Sequence, residues 1–154
     1  MNEADPFDLG RFAAAQDGGG TYERAVAELR RGRKAGHWMW FVFPQIAGLG
    51  FSATSRRYAI RSMAEARAYL AHPVLGPRLI ECALIIAAAQ GHTAEEIFGA
   101  TDAIKLRSSM SLFSRADPAQ PLFREVLRQY FADQPDQLTD DAILAAGEGD
   151  FAGR

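Results

Sequence analysis

The run Gly36-His37-Trp38-Met39-Trp40-Phe41-Val42-Phe43-Pro44-Gln45 holds both tryptophans of the chain and two of its ten phenylalanines. An apolar plug with a polar residue at each end is how pockets set a few directional groups among apolar walls. His37 is read as an acid–base group, and Trp38, Trp40 and Gln45 as ligand contacts, whereas Phe41, Val42 and Phe43 are assigned to the core because aromatic clusters are mostly packing. The next stretch, Gly48-Leu49-Gly50 followed by Ser52, Ser55, Arg56, Arg57 and Tyr58, allows two readings. Its serines and backbone N–H groups could face phosphate, or they could form a plain loop with a serine N-cap. No strand precedes the glycines, so they make no dinucleotide fingerprint.

A third cluster lies further on. Asp102, Lys105 and Ser109 recur at three- and four-residue steps, with Ser108 beside them, so a helix would carry them on one face. Of the 17 basic residues only Lys34 and Lys105 are lysines, and a compact point charge is what a lysine offers over an arginine. Asp102 is thus a second acid–base candidate, and Lys105 the group that would stabilise negative charge. An ordinary surface pair is the other reading. Arg78, in His72-Pro73-Val74-Leu75-Gly76-Pro77-Arg78, could point at a ligand anion or at a carboxylate, while His72, where one helix ends and the next starts, is read as capping and satisfying backbone groups.

Charge and composition limit the partners. Formal net charge is -2, yet Gly20 to Arg67 holds nine basic residues against three acidic. That local excess suits a small anionic ligand, and the chain as a whole is too acidic for a dedicated nucleic-acid binder. Three scattered histidines and one cysteine give no metal-ligand spacing, and no Walker loop, nucleophile elbow or zincin helix occurs. Neither a metal nor a cofactor is therefore expected. The longest apolar stretch, Ala83 to Ala89, falls far short of the roughly 20 residues that span a bilayer. The first residues lack a basic and apolar leader, so a cytoplasmic protein without membrane contact is expected. Cys82, within an apolar run, reads as a buried small hydrophobe in a reducing compartment.

Helices must position these groups. The 154 residues suit one domain able to build a core without disulfides. Asp5-Pro6 opens a first helix to about Gln16, three glycines break it, and Thr21 to Gly32 makes a second. Ser62–Glu65 and Thr93–Glu96 read as capping boxes. Pro73 to Gln90 is the central core helix, with Val74, Leu75, Leu79, Ala83 and Ile86 at helical spacing. Further helices start at Thr101 or Asp102, at Pro121 and at Thr139, and Trp38–Phe43 reads as a short buried helix or an extended linker. The expectation is a compact all-α bundle of about six to eight helices, one domain over 5–146 with frayed ends at 1–4 and 147–154.

Together these segments resemble a known family. His37 through Gln45, Gly48-Leu49-Gly50 with Ser52 and Ser55, Tyr58-Ala59-Ile60, His72 through Leu79, Phe98-Gly99, Asp102, Lys105 and Ser108-Ser109-Met110-Ser111-Leu112-Phe113 are similar to the domain-of-unknown-function family 1810, whose bacterial members often carry the label calpastatin. The resemblance covers about Phe7 to Phe131. It implies a small, all-α bacterial protein with the fold of a mycobacterial conserved hypothetical protein, and no assigned reaction. A looser likeness runs to a helical family named for NAD and ADP-ribose chemistry, whose early glutamate-containing pattern this sequence lacks.

Two functions follow as expectations. In the first, the chain binds a nucleotide- or ADP-ribose-like anion, with hydrolysis as the reaction if it is catalytic. Trp38 or Trp40 would then stack on the ligand, Lys105 and Arg78 would hold its phosphate, and His37 and Lys105 would share one cleft. In the second, the protein is a non-catalytic helical interaction module, and the same polar residues form a buried structural network.

Overall fold

Where the first helix starts is set by Asp5. Its carboxylate accepts hydrogen bonds from the N–H groups of Leu9 (2.7 Å) and Gly10 (2.8 Å), so α1 spans Gly10–Asp17 and begins several residues later than the Asp5-Pro6 signal suggested. A single 3-10 turn at Gly18–Gly20 follows, in which Gly19 and Gly20 take positive φ, and α2 covers Thr21–Arg31 and stops at left-handed Gly32. The aromatic run contributes one turn, α3 (Met39–Val42), and the Ser52 hydroxyl caps another, α4 (Ala53–Arg57). Ser62 caps α5 (Met63–Ala71), and the Nδ1 of His72 caps α6 (Leu75–Ala88) by accepting from Val74 and Leu75, both at 3.1 Å.

The Thr93–Glu96 capping box is complete and starts α7, Ala94–Ala116. Gly99, at φ 79° and ψ 161°, breaks this helix, so its 100–116 arm runs separately from its first turn. α8 covers Leu122–Phe131, and α9, capped by Asp136, covers Gln137–Ala146. This computed structural model describes residues 4–151, and 1–3 and 152–154, part of the expected frayed ends, lie outside them. Seven of the nine α-helical segments among the described residues reach eight residues or more. No strand occurs among them, only isolated backbone pairings of Ile46 with Ile60 and of Ser62 with Asp150.

The core lies where α6 packs on α2, α5 and α8 while α7 packs on α5, α8 and α9. Rings run through it in sequence, with Phe12–Tyr69 centroids 5.2 Å apart, Tyr69–Phe113 5.4 Å and Phe113–Phe123 5.9 Å. Leu79, Ile86 and Leu106 are buried among them. α5 and α6 approach so closely that a Cβ on Gly76 would stand 2.1 Å from the Leu70 carbonyl oxygen, so only glycine fits there. Cys82 is buried on α6, and burial pushes its thiol up to about 12, which leaves it protonated at neutral pH.

Phe151 is buried, and its N–H donates to the Arg61 carbonyl at 2.7 Å. No single helix among the described residues is long and apolar enough to cross a membrane.

Candidate functional site

A groove of about 600 Å³ opens between the 45–61 segment and the second arm of α7. Backbone bonds close the 45–61 segment on itself, from Ala47 N–H to the Ile60 carbonyl and from Ile60 N–H to the Gln45 carbonyl, both at 2.8 Å. A buried guanidinium fixes it from behind. Arg11 on α1 donates to the carbonyls of Arg57 (2.7 Å) and Ala59 (2.9 Å), to Phe7 and Asp8, and to Glu65 at 2.9 Å. Glu65 in turn accepts from Arg61 N–H at 3.0 Å. Tyr58 rests on Phe41 and Phe12, at centroid distances of 5.3 and 5.8 Å, and so presents one flank to the groove.

The opposite wall is α7, with Thr101, Ile104, Lys105 and Ser108. Asp136 and Leu138 close one end because Arg107 and Ser111 of α7 hold the chain before α9. Arg107 Nε donates to the Gln134 carbonyl at 2.7 Å, and Asp136 N–H donates to the Ser111 hydroxyl at 2.8 Å. Trp40, Ile46, Leu49 and Phe51 complete the apolar lining. Phe51, Ile104 and Leu138 are 75%, 63% and 66% exposed, so three of the most exposed large apolar side chains border this one groove.

Its charge is mostly positive. Lys105, Arg56 and Arg61 line it together with a single acid, Asp136, whose carboxylate is engaged by the N–H and hydroxyl of Thr139 at 2.9 and 2.6 Å. Arg56 and Arg61 have no ion-pair partner among the described residues. The Lys105 ammonium stands 4.4 Å above the Trp40 ring and 3.0 Å from Asp102. Asp102 also meets Lys34 at 2.7 Å. Burial would raise the Asp102 carboxyl, but the hydrogen bonds from the two lysines prevail and hold it below the ordinary aspartate value.

The structure thus brings together Trp40, Gln45, Ser52, Ser55, Tyr58, Lys105 and Ser108 around one concavity, with Asp102 just behind Lys105. Ser52 and Ser55 spend their hydroxyls on each other and on the cap of α4, which is the plain-loop alternative for that stretch. Four expected site residues lie elsewhere. His37 is exposed and not part of the lining, so it and Lys105 do not share the cleft. Trp38 is sealed in the core, where its Nε1 donates to Glu28 at 2.9 Å. Arg78 turns to α1 and α2, pairing with Asp17 at 2.8 Å and Gln16 at 3.1 Å and lying over the Tyr22 ring. Ser109 is fully buried, and its hydroxyl has no hydrogen-bond partner among the described residues.

Sequence reasoning missed Arg56 and Arg61, which it counted in the basic excess without a direction, and also Lys34, Ile104, Asp136 and Leu138. For Lys34 a signal existed, since it is the other of two lysines in an arginine-rich chain. Among the described residues no three His, Cys, Asp or Glu side chains cluster so as to hold a metal ion.

Comparison with known proteins gives two matches. A family model described as "Protein of unknown function (DUF1810)" covers residues 6–143. The chain is also similar to the conserved hypothetical protein Rv1873 from Mycobacterium tuberculosis, a solved crystal structure, at 52% identity and a TM-score of 0.86 over 89% of this chain and 96% of that one. No curated protein matches.

Proposed function

The chain belongs to the DUF1810 family of proteins of unknown function, and we propose that it binds a small amphipathic anion of the nucleotide or ADP-ribose type in the groove between residues 45–61 and α7. The observation that carries this reading is a groove of about 600 Å³ in which an apolar wall meets three cationic side chains, Arg56, Arg61 and Lys105. That volume suits a drug-sized or cofactor-sized ligand. The ligand's anionic group belongs at the cations, where guanidinium forks and an ammonium point charge complement each other. Its planar part belongs along Ile46, Leu49, Phe51 and Ile104, because Lys105 already covers the Trp40 ring. Binding rather than hydrolysis is the activity proposed, since Asp102 is committed to two ammonium groups and His37 stands outside. A buried lone cysteine fits a reducing, cytoplasmic setting.

Titration of AMP, ADP-ribose and NAD against the protein, followed by tryptophan fluorescence and calorimetry, tests the reading. One of them should bind saturably and more weakly as salt rises from about 0.05 to 0.5 M. Lys105→Ala should weaken it about 10- to 100-fold, the effect of losing one charged hydrogen bond, and Arg78→Ala should leave it unchanged. No binding at millimolar concentration, or equal binding by Lys105→Ala with the same salt response, would refute it. In the first case the exposed Phe51, Ile104 and Leu138 rim favours the second reading, a protein-docking surface.

A further inference from the structure

Both lysines of this chain grip one carboxylate. Asp102 Oδ2 lies 2.7 Å from Lys34 Nζ, and its Oδ1 lies 3.0 Å from Lys105 Nζ. The surroundings of the two ammonium groups differ. The Lys34 side chain is only 7% exposed and does not line the groove. It sits 5.0 Å from the Trp38 ring centroid and donates to the Gly36 carbonyl, and among the described residues Asp102 is its one ion-pair partner, the nearby Glu28 carboxylate being taken up by the N–H groups of Ala35, Gly36 and Trp38. Lys105 is 19% exposed and stands over Trp40 at the groove wall.

Two positive charges share one negative charge, so one unit of positive charge is left over. A buried ammonium is costly to keep out of water unless it is paired, which commits Asp102 to Lys34. The leftover charge then falls on Lys105, the member of the triad that a ligand can reach. We infer that Lys34 and Asp102 are positioning residues that act through Lys105: by engaging Asp102 from the buried side, Lys34 leaves the Lys105 ammonium uncancelled toward the groove and so makes it select an anionic group. This rests on the reading of the groove as an anion site. It also adds that the selectivity is set by a residue that touches no ligand.

Trp40 reports the local charge without any ligand, because the only other tryptophan, Trp38, is buried at 2% exposure. The measurement is quenching of tryptophan fluorescence by iodide and by caesium at constant ionic strength of about 0.1 M. Relative to free N-acetyltryptophanamide in the same salts, wild type should be quenched more by iodide and less by caesium. In Lys34→Met, and in Lys34→Gln as a second variant, Asp102 is freed to cancel Lys105. Iodide quenching should then fall about 1.5- to 2-fold while caesium quenching rises, the change in local ion concentration that one unit charge makes at roughly 8 Å in water. Asp102→Asn should do the reverse. A clasp that merely holds the fold would, when loosened, move both quenchers in the same direction. That result, an unchanged ratio in all three variants, or a wild type without iodide preference would overturn the inference. Failure of the nucleotide titrations would leave the quenching ratios as they are, so the two claims fail separately.

Discussion

Replacing Arg11 by Met is expected to lower stability by about 3–5 kcal/mol, because it leaves the Glu65 carboxylate buried without its partner. At the roughly 2–4 °C per kcal/mol typical of domains of this size, the midpoint of thermal unfolding should fall by about 6–20 °C. Arg11 and Glu65 side chains are 7% and 4% exposed, so little solvent screens the pair. The guanidinium also satisfies four backbone carbonyls, including those of Arg57 and Ala59 behind the groove. The double variant Arg11→Met with Glu65→Gln should recover part of the loss, since the stranded charge is then gone. Melting curves by circular dichroism decide the matter, and a shift below about 2 °C for Arg11→Met would contradict this role.

Glu28→Ala should cost about 2–4 kcal/mol, as three donors lose one acceptor and those left in buried surroundings each carry a penalty of about 1–3 kcal/mol. Glu28 Oε1 accepts from Ala35 N–H at 2.7 Å, Gly36 N–H at 2.8 Å and Trp38 Nε1 at 2.9 Å, and so fixes the approach to the Trp40 wall. Burial acts to raise this carboxyl, but the N–H donors of Gly36 and Ala35, with Trp38, hold it below its ordinary 4.5. A depressed value stabilises the fold fully above 4.5, and the benefit disappears as pH falls through the lower folded-state value. The stability gap between wild type and Glu28→Gln should therefore narrow below about pH 4.5. Urea unfolding at pH 7 and pH 3.5 measures it, and a gap that widened in acid would contradict the assignment.

Much of the fold was legible because its signals are local. Gly32 ending α2, Thr93 with Glu96 starting α7, and His72 capping α6 each act within four residues. Asp5 misled by distance, since its carboxylate reaches over an intervening turn to Leu9 and Gly10. The site was legible by halves. The aromatic run and the Lys105 face were visible as odd compositions, but which residue of each turns inward depends on partners far away in sequence. A polar residue beside an apolar run looks the same whether it faces a cleft or water, and so His37 misled while Arg56 and Arg61 went unassigned. Arg78 is drawn to Asp17 and Gln16, some 60 residues upstream, and Leu138 reaches the groove only through the hold of α7 on the chain before α9.

The most direct test of the groove is amide chemical-shift mapping of the 15N-labelled protein during titration with AMP, at low salt. The shifting signals should cluster at 45–61 and at 101–108 on α7, move together to saturation, and return when salt is raised. Shifts centred on Arg78, Gln16 and Asp17 or on His37, with those two segments silent, would contradict this placement of the ligand.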